Sequence, residues 1–254
     1  MPVDVTQPHI ARIYDYVLGG KFNHEADRLA AAAIVDLVPP YPRWARQNRA
    51  FLGHVGRRWA EDGRTDVLDL GSGLPTRGHF DEHLPGARVL FVDSDPLTVA
   101  QARELLAGTR GKTYLQADIR AVDALIEHAA TFFGDARLLG VGCIGVAYFL
   151  SDDDLGGLMR RLHALCAPGS ALALTFHEVP PGPDYEASKE ALLTSARHAR
   201  INFYLRTPEQ VVDVVAPWRV VSRHDLDQMF PEAPPPRPEH PMHRARIHGI
   251  FAER

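Results

Sequence analysis

The chain has 254 residues, 45% of them hydrophobic and 24% charged, which excludes collagen-like, coiled-coil and largely disordered proteins. Twenty-eight Lys and Arg against 32 Asp and Glu give a formal charge of −4, the wrong sign for a surface that works by neutralising phosphates. No nucleic-acid partner is expected near neutral pH, although protonation of the 13 His would turn the balance positive.

The first ten residues, MPVDVTQPHI, have neither the basic nor the apolar region of a secretory leader. No apolar run reaches the roughly 18 residues of a membrane helix, so a cytoplasmic protein without a membrane partner is expected. Residues 1–64 read as a helical extension or lid, and residues 65–254 as the core of one integrated domain. Within the extension, Tyr14, Asp15, Tyr16, Gly19, Gly20, Lys21 and Asn23 crowd aromatic, flexible and charged groups together. Two readings compete: a helix capped by a glycine and packed on the rest, or a lid that closes through its glycines. A second helix begins near His24 and is broken by Val38-Pro39-Pro40-Tyr41-Pro42. Trp44, Phe51, Leu52, Val55 and Trp59 then fall on one face of a helix from about Arg43 to Glu61.

From Thr65 the texture changes. Apolar runs at Asp66–Leu70, Arg88–Val92, Thr113–Gln116, Leu138–Ala147 and Ala171–Phe176 alternate with helical stretches, predicting a parallel sheet covered on both faces. Arg219–Leu226 and Arg246–Ala252 are strand-like but joined by a loop with six prolines between Pro231 and Pro241, so they are expected to pair antiparallel. Cys143 and Cys166 lie in apolar stretches and read as buried thiols.

The strand Val67–Leu70 runs into Gly71-Ser72-Gly73, where missing side chains let backbone approach a ligand. Asp93, followed by Ser94, ends the next strand about 20 residues on, where an acid can accept ribose hydroxyls. Asp118 and Ile119 follow the third strand and are placed to serve an adenine edge. A dinucleotide site prefers a third glycine where Thr76 stands, and Asp69 aims at the same turn, which favours a cationic ligand over phosphates. S-adenosylmethionine meets those terms.

Candidates for the acceptor pocket follow the fourth and fifth strands: Tyr148 and Phe149, then His177 and Glu178. His177 has the pKa class of a general base, but a lone histidine there is more often a structural or substrate-shaping group. Asn202, Phe203, Tyr204 and Arg206 form a second cluster that shapes the pocket or merely connects elements. Two motifs are set aside. Pro39-Pro40-Tyr41 lacks the leading acid or amide of an amino-methylating DNA enzyme. Asp152-Asp153-Asp154 after Ser151 reads as a capped helix start, not a metal site.

The D-x-G-x-G turn and two further acidic strand ends resemble the class I S-adenosylmethionine-dependent methyltransferases. More narrowly, RIYDYVLGGKFNHEADR (12–28), RQNRAFL (46–52), LDLGSGLPT (68–76) and VDSDP (92–96) closely resemble the actinobacterial S-adenosyl methyltransferase family formerly catalogued as DUF574. The resemblance spans nearly the whole chain. It implies an α/β Rossmann-like sheet of order 3-2-1-4-5-7-6 with the last strand antiparallel, and S-adenosyl-L-methionine as cofactor. The cofactor residues expected are Tyr14, Gly20, Lys21, Arg49, Asp69, Gly71, Ser72, Gly73, Asp93, Ser94, Asp118 and Ile119, with Lys21 or Arg49 on the methionine carboxylate. Tyr148, Phe149, His177 and Tyr204 are the expected acceptor residues. A small-molecule acceptor of secondary metabolism is expected. The sequence leaves open a cofactor-binding protein without methyl transfer, regulatory or cyclase-like, and an NAD(P)-dependent oxidoreductase. It does not specify the oligomeric state.

Overall fold

A computed structural model describes residues 5–76, 78–134, 138–232 and 240–254. Three helices precede the sheet: α1 (Ile10–Val17), α2 (Glu25–Leu37) and α3 (Tyr41–Glu61). The chain then runs β1 (Asp66–Leu70), α4 (Phe80–His83), β2 (Arg88–Asp93), α5 (Pro96–Leu105), β3 (Lys112–Gln116) and α6 (Val122–Phe133). It continues through β4 (Gly140–Cys143), α7 (Asp152–Leu165), β5 (Ala171–Glu178), α8 (Tyr185–His198) and α9 (Pro208–Val215). It closes with β6 (Arg219–Asp225), α10 (Leu226–Met229) and β7 (Arg246–Glu253). The strands form one sheet of order β3-β2-β1-β4-β5-β7-β6. β7 runs antiparallel to both β5 and β6. Most of the proline-rich connection, residues 233–239, lies outside the described residues.

Alternation along each strand feeds two cores. Leu68 and Leu70 face α6 and α7 together with Leu90, Val92 and Val141. Val67, Val89 and Phe91 face the other way, against Phe51, Val55 and Trp59 of α3. The α3 stripe read from periodicity is buried throughout. A smaller cluster of Ile13, Ala30, Ala31, Ile34 and Ala199 ties α1 and α2 to the end of α8.

One strand is shorter than its sequence predicts. The run Leu138–Ala147 yields only Gly140–Cys143 as strand, followed by a turn and a 3-10 helix at Ala147–Phe149. Gly145 takes φ +81° and donates its N–H to Thr175 Oγ1 at 2.8 Å, which turns the chain away from the ladder. Hydrophobicity alone carried no sign of that turn. Ser151 caps α7, its Oγ accepting from Asp154 N–H, so the three aspartates meet the positive end of the helix dipole. Among the described residues no helix is long and apolar enough to cross a membrane.

Candidate active site

The carboxyl edge of the sheet opens into one cavity of about 690 Å³. Its floor is Gly71, Ser72 and Gly73 after β1, Asp93 and Ser94 after β2, and Asp118 and Ile119 after β3. Gly71 and Gly73 both take φ +64°, the left-handed region that favours glycine. A Cβ on Gly71 would lie 2.6 Å from Val146 Cγ2, so this glycine is required by a neighbour in the fold. Nothing lies within 4 Å of a Cβ on Gly73, which leaves that side of the turn open to a ligand. Ser72 stitches the turn down: its Oγ donates to Asp69 O at 2.8 Å and accepts Val92 N–H at 3.0 Å.

Asp93 accepts the N–H of Gly73 and the N–H of Asp95, each at 2.9 Å. Burial pushes its carboxyl up from the ordinary range, and those two backbone hydrogen bonds oppose the shift. Asp118 is held as a carboxylate by a bidentate contact from Arg120, at 3.0 and 2.7 Å, which lowers its pKa. Asp69 is buried beneath the floor, outside the cavity lining. Its Oδ2 lies 3.6 Å from His79 Nε2, and burial raises its pKa to about 6 against the pull of His79. The expectation that Asp69 faces the ligand is therefore corrected: its side chain lies buried beneath the turn, beside His79, and its Oδ2 has no hydrogen-bond partner.

The roof comes from the N-terminal helices. Tyr14 and Arg49 line the cavity together, the guanidinium carbon 5.6 Å from the phenol ring centre. Burial raises the Tyr14 pKa to about 12, so it stays a neutral donor, to Ala45 O at 2.8 Å. Arg49 Nε and Nη1 are buried without a hydrogen-bond partner. Guanidinium donors held out of water without a partner, on a half-buried arginine, call for an anion.

Gly20 and Lys21 do not line the cavity, and Lys21 is exposed. Gly19 takes φ +80° past the end of α1, and a Cβ on Gly20 would collide with the Asp15 carboxylate. Asp15 also accepts Phe22 N–H at 2.8 Å and Asn23 Nδ2 at 3.2 Å. The glycine pair thus wraps a turn around a buried carboxylate, which accounts for its small residues without a hinge. The sequence reading named Asp15 but gave it no such part.

Toward β5 the cavity is walled by Tyr148, Phe149 and His177, with Trp44, Asn48 and Phe203 beside them. Tyr204 lies outside this wall, its N–H bound to Tyr148 O at 2.8 Å. Arg206 is a buried staple, reaching Asp152 Oδ1 at 2.8 Å and the carbonyls of Ala147 and Leu150. Burial and the neighbouring His248 lower the His177 pKa to about 3. That removes the basicity its residue type suggested. Trp44 was legible as a core stripe residue, but nothing in its spacing marked it as a cavity wall.

The residues present fit S-adenosylmethionine: an open glycine turn, an acid at the second strand end, and a half-buried cation awaiting a carboxylate. The comparisons agree. The model of the S-adenosyl methyltransferase family matches residues 1–222. A candidate methyltransferase from Thermobifida fusca YX is 27% identical with a TM-score of 0.84, over 99% of this chain and 96% of that one. A DUF574 family protein from Streptomyces avermitilis MA-4680 is 24% identical with a TM-score of 0.79, each chain being covered fully. The Burkholderia thailandensis 1,6-didemethyltoxoflavin-N1-methyltransferase, with its substrate and S-adenosylhomocysteine bound, shares the fold at 22% identity and a TM-score of 0.51, over 91% of both chains. No curated protein is similar in sequence. The chain belongs to the S-adenosyl methyltransferase family, an S-adenosyl-L-methionine-dependent methyltransferase of the class I fold.

Proposed function

We propose that the protein methylates a small-molecule acceptor, and that its reaction belongs to secondary metabolism. The small acceptor rests on one observation: the cavity that begins at the glycine turn continues to His177 under a cover made by α1, α2, α3 and α8. A cavity of about 690 Å³ is in the size range that takes small-molecule ligands. The Burkholderia enzyme, whose acceptor is small, supports the same scale of substrate. The metabolic setting rests on the sequence resemblance alone.

S-adenosyl-L-methionine supplies, when bound, a methyl group on a cationic sulfur. In this reading Asp93 accepts the ribose hydroxyls, while Asp118 and the backbone of Ile119 serve the adenine edge. The backbone at Gly71 and Gly73 lies along the ligand. Arg49, positioned by Tyr14, pairs with the methionine carboxylate. Excluding water and fixing the acceptor's lone pair are then the main contributions of the cavity. Burial keeps the His177 imidazole neutral and its conjugate acid too acidic to retain a proton taken from the acceptor near neutral pH.

The test is transfer of a labelled methyl group into a cell extract separated by mass. Label in the low-mass fraction is expected. Label in protein or nucleic acid overturns the small acceptor, and a cofactor that binds but is never consumed overturns methyl transfer. Binding of 5′-methylthioadenosine, which has no carboxylate, separates the Arg49 role. Arg49→Gln should weaken S-adenosylhomocysteine about 10- to 100-fold and leave methylthioadenosine unchanged.

A further inference from the structure

The β5 end of the cavity has a chemistry of its own. His177 is the centre of an aromatic group, with Tyr148 at 4.6 Å, Trp44 at 4.7 Å and Phe203 at 5.4 Å between ring centres. Tyr148 and Phe203 stack at 5.1 Å. Four polar atoms on cavity-lining residues are buried here without a partner: Trp44 Nε1, Tyr41 OH, Asn48 Oδ1 and His177 Nδ1. Each such atom costs about 1–3 kcal/mol if left unsatisfied. Their types are mixed, one donor only, one acceptor only, and two able to act either way.

Charge is absent from this group. None of the carboxylates on the cavity wall belongs to the aromatic group: Asp93 and Asp118 sit at the ends of β2 and β3, and Asp15, whose Oδ1 is buried without a partner, lies on α1. The arginines on the α8 side, Arg197 and Arg200, are exposed at the rim. An aromatic cluster can hold a cation through its ring faces, worth about 0.5–2 kcal/mol. Among Trp44, Tyr148, His177 and Phe203 no side chain carries a carboxylate to pair with a ligand cation, and burial together with His248 keeps His177 itself neutral. A neutral ring gains the same aromatic contacts without losing the hydration of a charge.

We infer that the wall of Trp44, Tyr148, His177 and Phe203 is the acceptor subsite, and that it takes an uncharged planar aromatic or heteroaromatic molecule whose polar edge meets Trp44, Tyr41, Asn48 and His177. The ring lies on aromatic faces, and its edge satisfies buried atoms that the protein leaves open. This assignment rests on the small-molecule reading above and names the class of that acceptor.

The experiment compares matched neutral and charged probes by calorimetry: 2-naphthol against 2-naphthoate, and quinoline against N-methylquinolinium. S-adenosylhomocysteine binding is measured first, alone, and the probes are then titrated with it saturating. The neutral member of each pair should bind at least tenfold more tightly than the charged one. Trp44→Leu should weaken the neutral probes about tenfold or more. Phe203→Leu, at a half-buried position, provides the same reading if the Trp44 variant does not fold. Equal or tighter binding of the charged members overturns the inference, as does unchanged 2-naphthol affinity in a folded variant. If S-adenosylhomocysteine binds and neither neutral probe does, the subsite assignment falls and the cofactor reading stands. If S-adenosylhomocysteine itself fails to bind, the cofactor roles fall. The probe pairs on the unliganded protein then still decide the aromatic wall.

Discussion

Asp93 accepts the backbone N–H of Gly73 at 2.9 Å, so the carboxylate that ends β2 also holds the glycine turn that follows β1. Two motifs that look independent in the sequence are one device. The acid fixes the turn through a lone pair on Oδ2 and Asp95 N–H through Oδ1, and keeps its remaining lone pairs for a ligand.

Removing that carboxylate should therefore act twice. Asp93→Ala is expected to weaken S-adenosylhomocysteine by about 1.5–3 kcal/mol, because charge-assisted hydrogen bonds to the ribose are lost. It should also lower stability by about 1–3 kcal/mol, since two backbone donors lose their acceptor. Calorimetry and urea unfolding read the two effects separately. Unchanged affinity in a folded variant would move the ribose contact away from Asp93.

The two glycines should respond differently, although both sit at φ +64°. An alanine at either pays about 1–2 kcal/mol of left-handed strain. Gly71→Ala also drives its Cβ to 2.6 Å from Val146, adding about 1–3 kcal/mol of overpacking. Gly73→Ala meets open space, so it should lose only that strain in stability while impairing S-adenosylhomocysteine binding. Equal losses of Tm at the two positions would contradict this division.

Asp69 gives a pH signature. Its folded-state pKa is raised from 3.8 to about 6 by burial, opposed by His79 and Arg49 and reinforced by Asp93. The native state thus holds a proton between about pH 4 and pH 6 that the unfolded state has released. Stability from this group is fully present below about pH 4 and is lost as pH rises through 6, a change of about 3 kcal/mol. Asp69→Asn carries no such proton. Urea unfolding from pH 4 to pH 7 should show the variant gaining on the wild type by up to that amount. A pH-independent difference between them would sink the assignment.

Much of this was legible before any coordinates. Asp93, Asp118 and the glycine turn were readable because strand ends have fixed sequence marks and the sheet brings consecutive ends to one edge. The antiparallel finish was readable because no helix separates the last two strands. Contacts that join distant segments were not. Arg49 and Trp44 come from a helix that precedes the sheet, and periodicity says which face is buried but not what that face meets. His79, which lies beside Asp69 under the turn, falls in a stretch without a motif. Lys21 misled for the opposite reason: its motif is dense, but Asp15 organises it from within.

The last prediction concerns how α1 is attached. Arg12 is 2% exposed and bridges three partners: Asp27 Oδ2 at 2.9 Å, Asp95 Oδ2 at 3.4 Å and Gln7 O at 2.7 Å. Asp95 in turn caps α5 through Thr98 N–H and donates its own N–H to Asp93. The N-terminal cover is therefore clasped to the loop whose carboxylate is assigned to the ribose. A ligand that fixes Asp93 should fix Asp95, and through Arg12 the segment from residue 10 to residue 28. Added S-adenosylhomocysteine is expected to raise amide protection there well above any change in α9. Arg12→Leu removes the buried guanidinium from Asp27 and Asp95, which keep only backbone and hydroxyl donors, at a cost of about 3–5 kcal/mol. That variant should exchange freely over the same segment and bind S-adenosylhomocysteine more weakly. Identical exchange with and without saturating ligand in the wild type would mean that α1 is a static buttress. In that case the Arg12–Asp95 contact serves the fold alone.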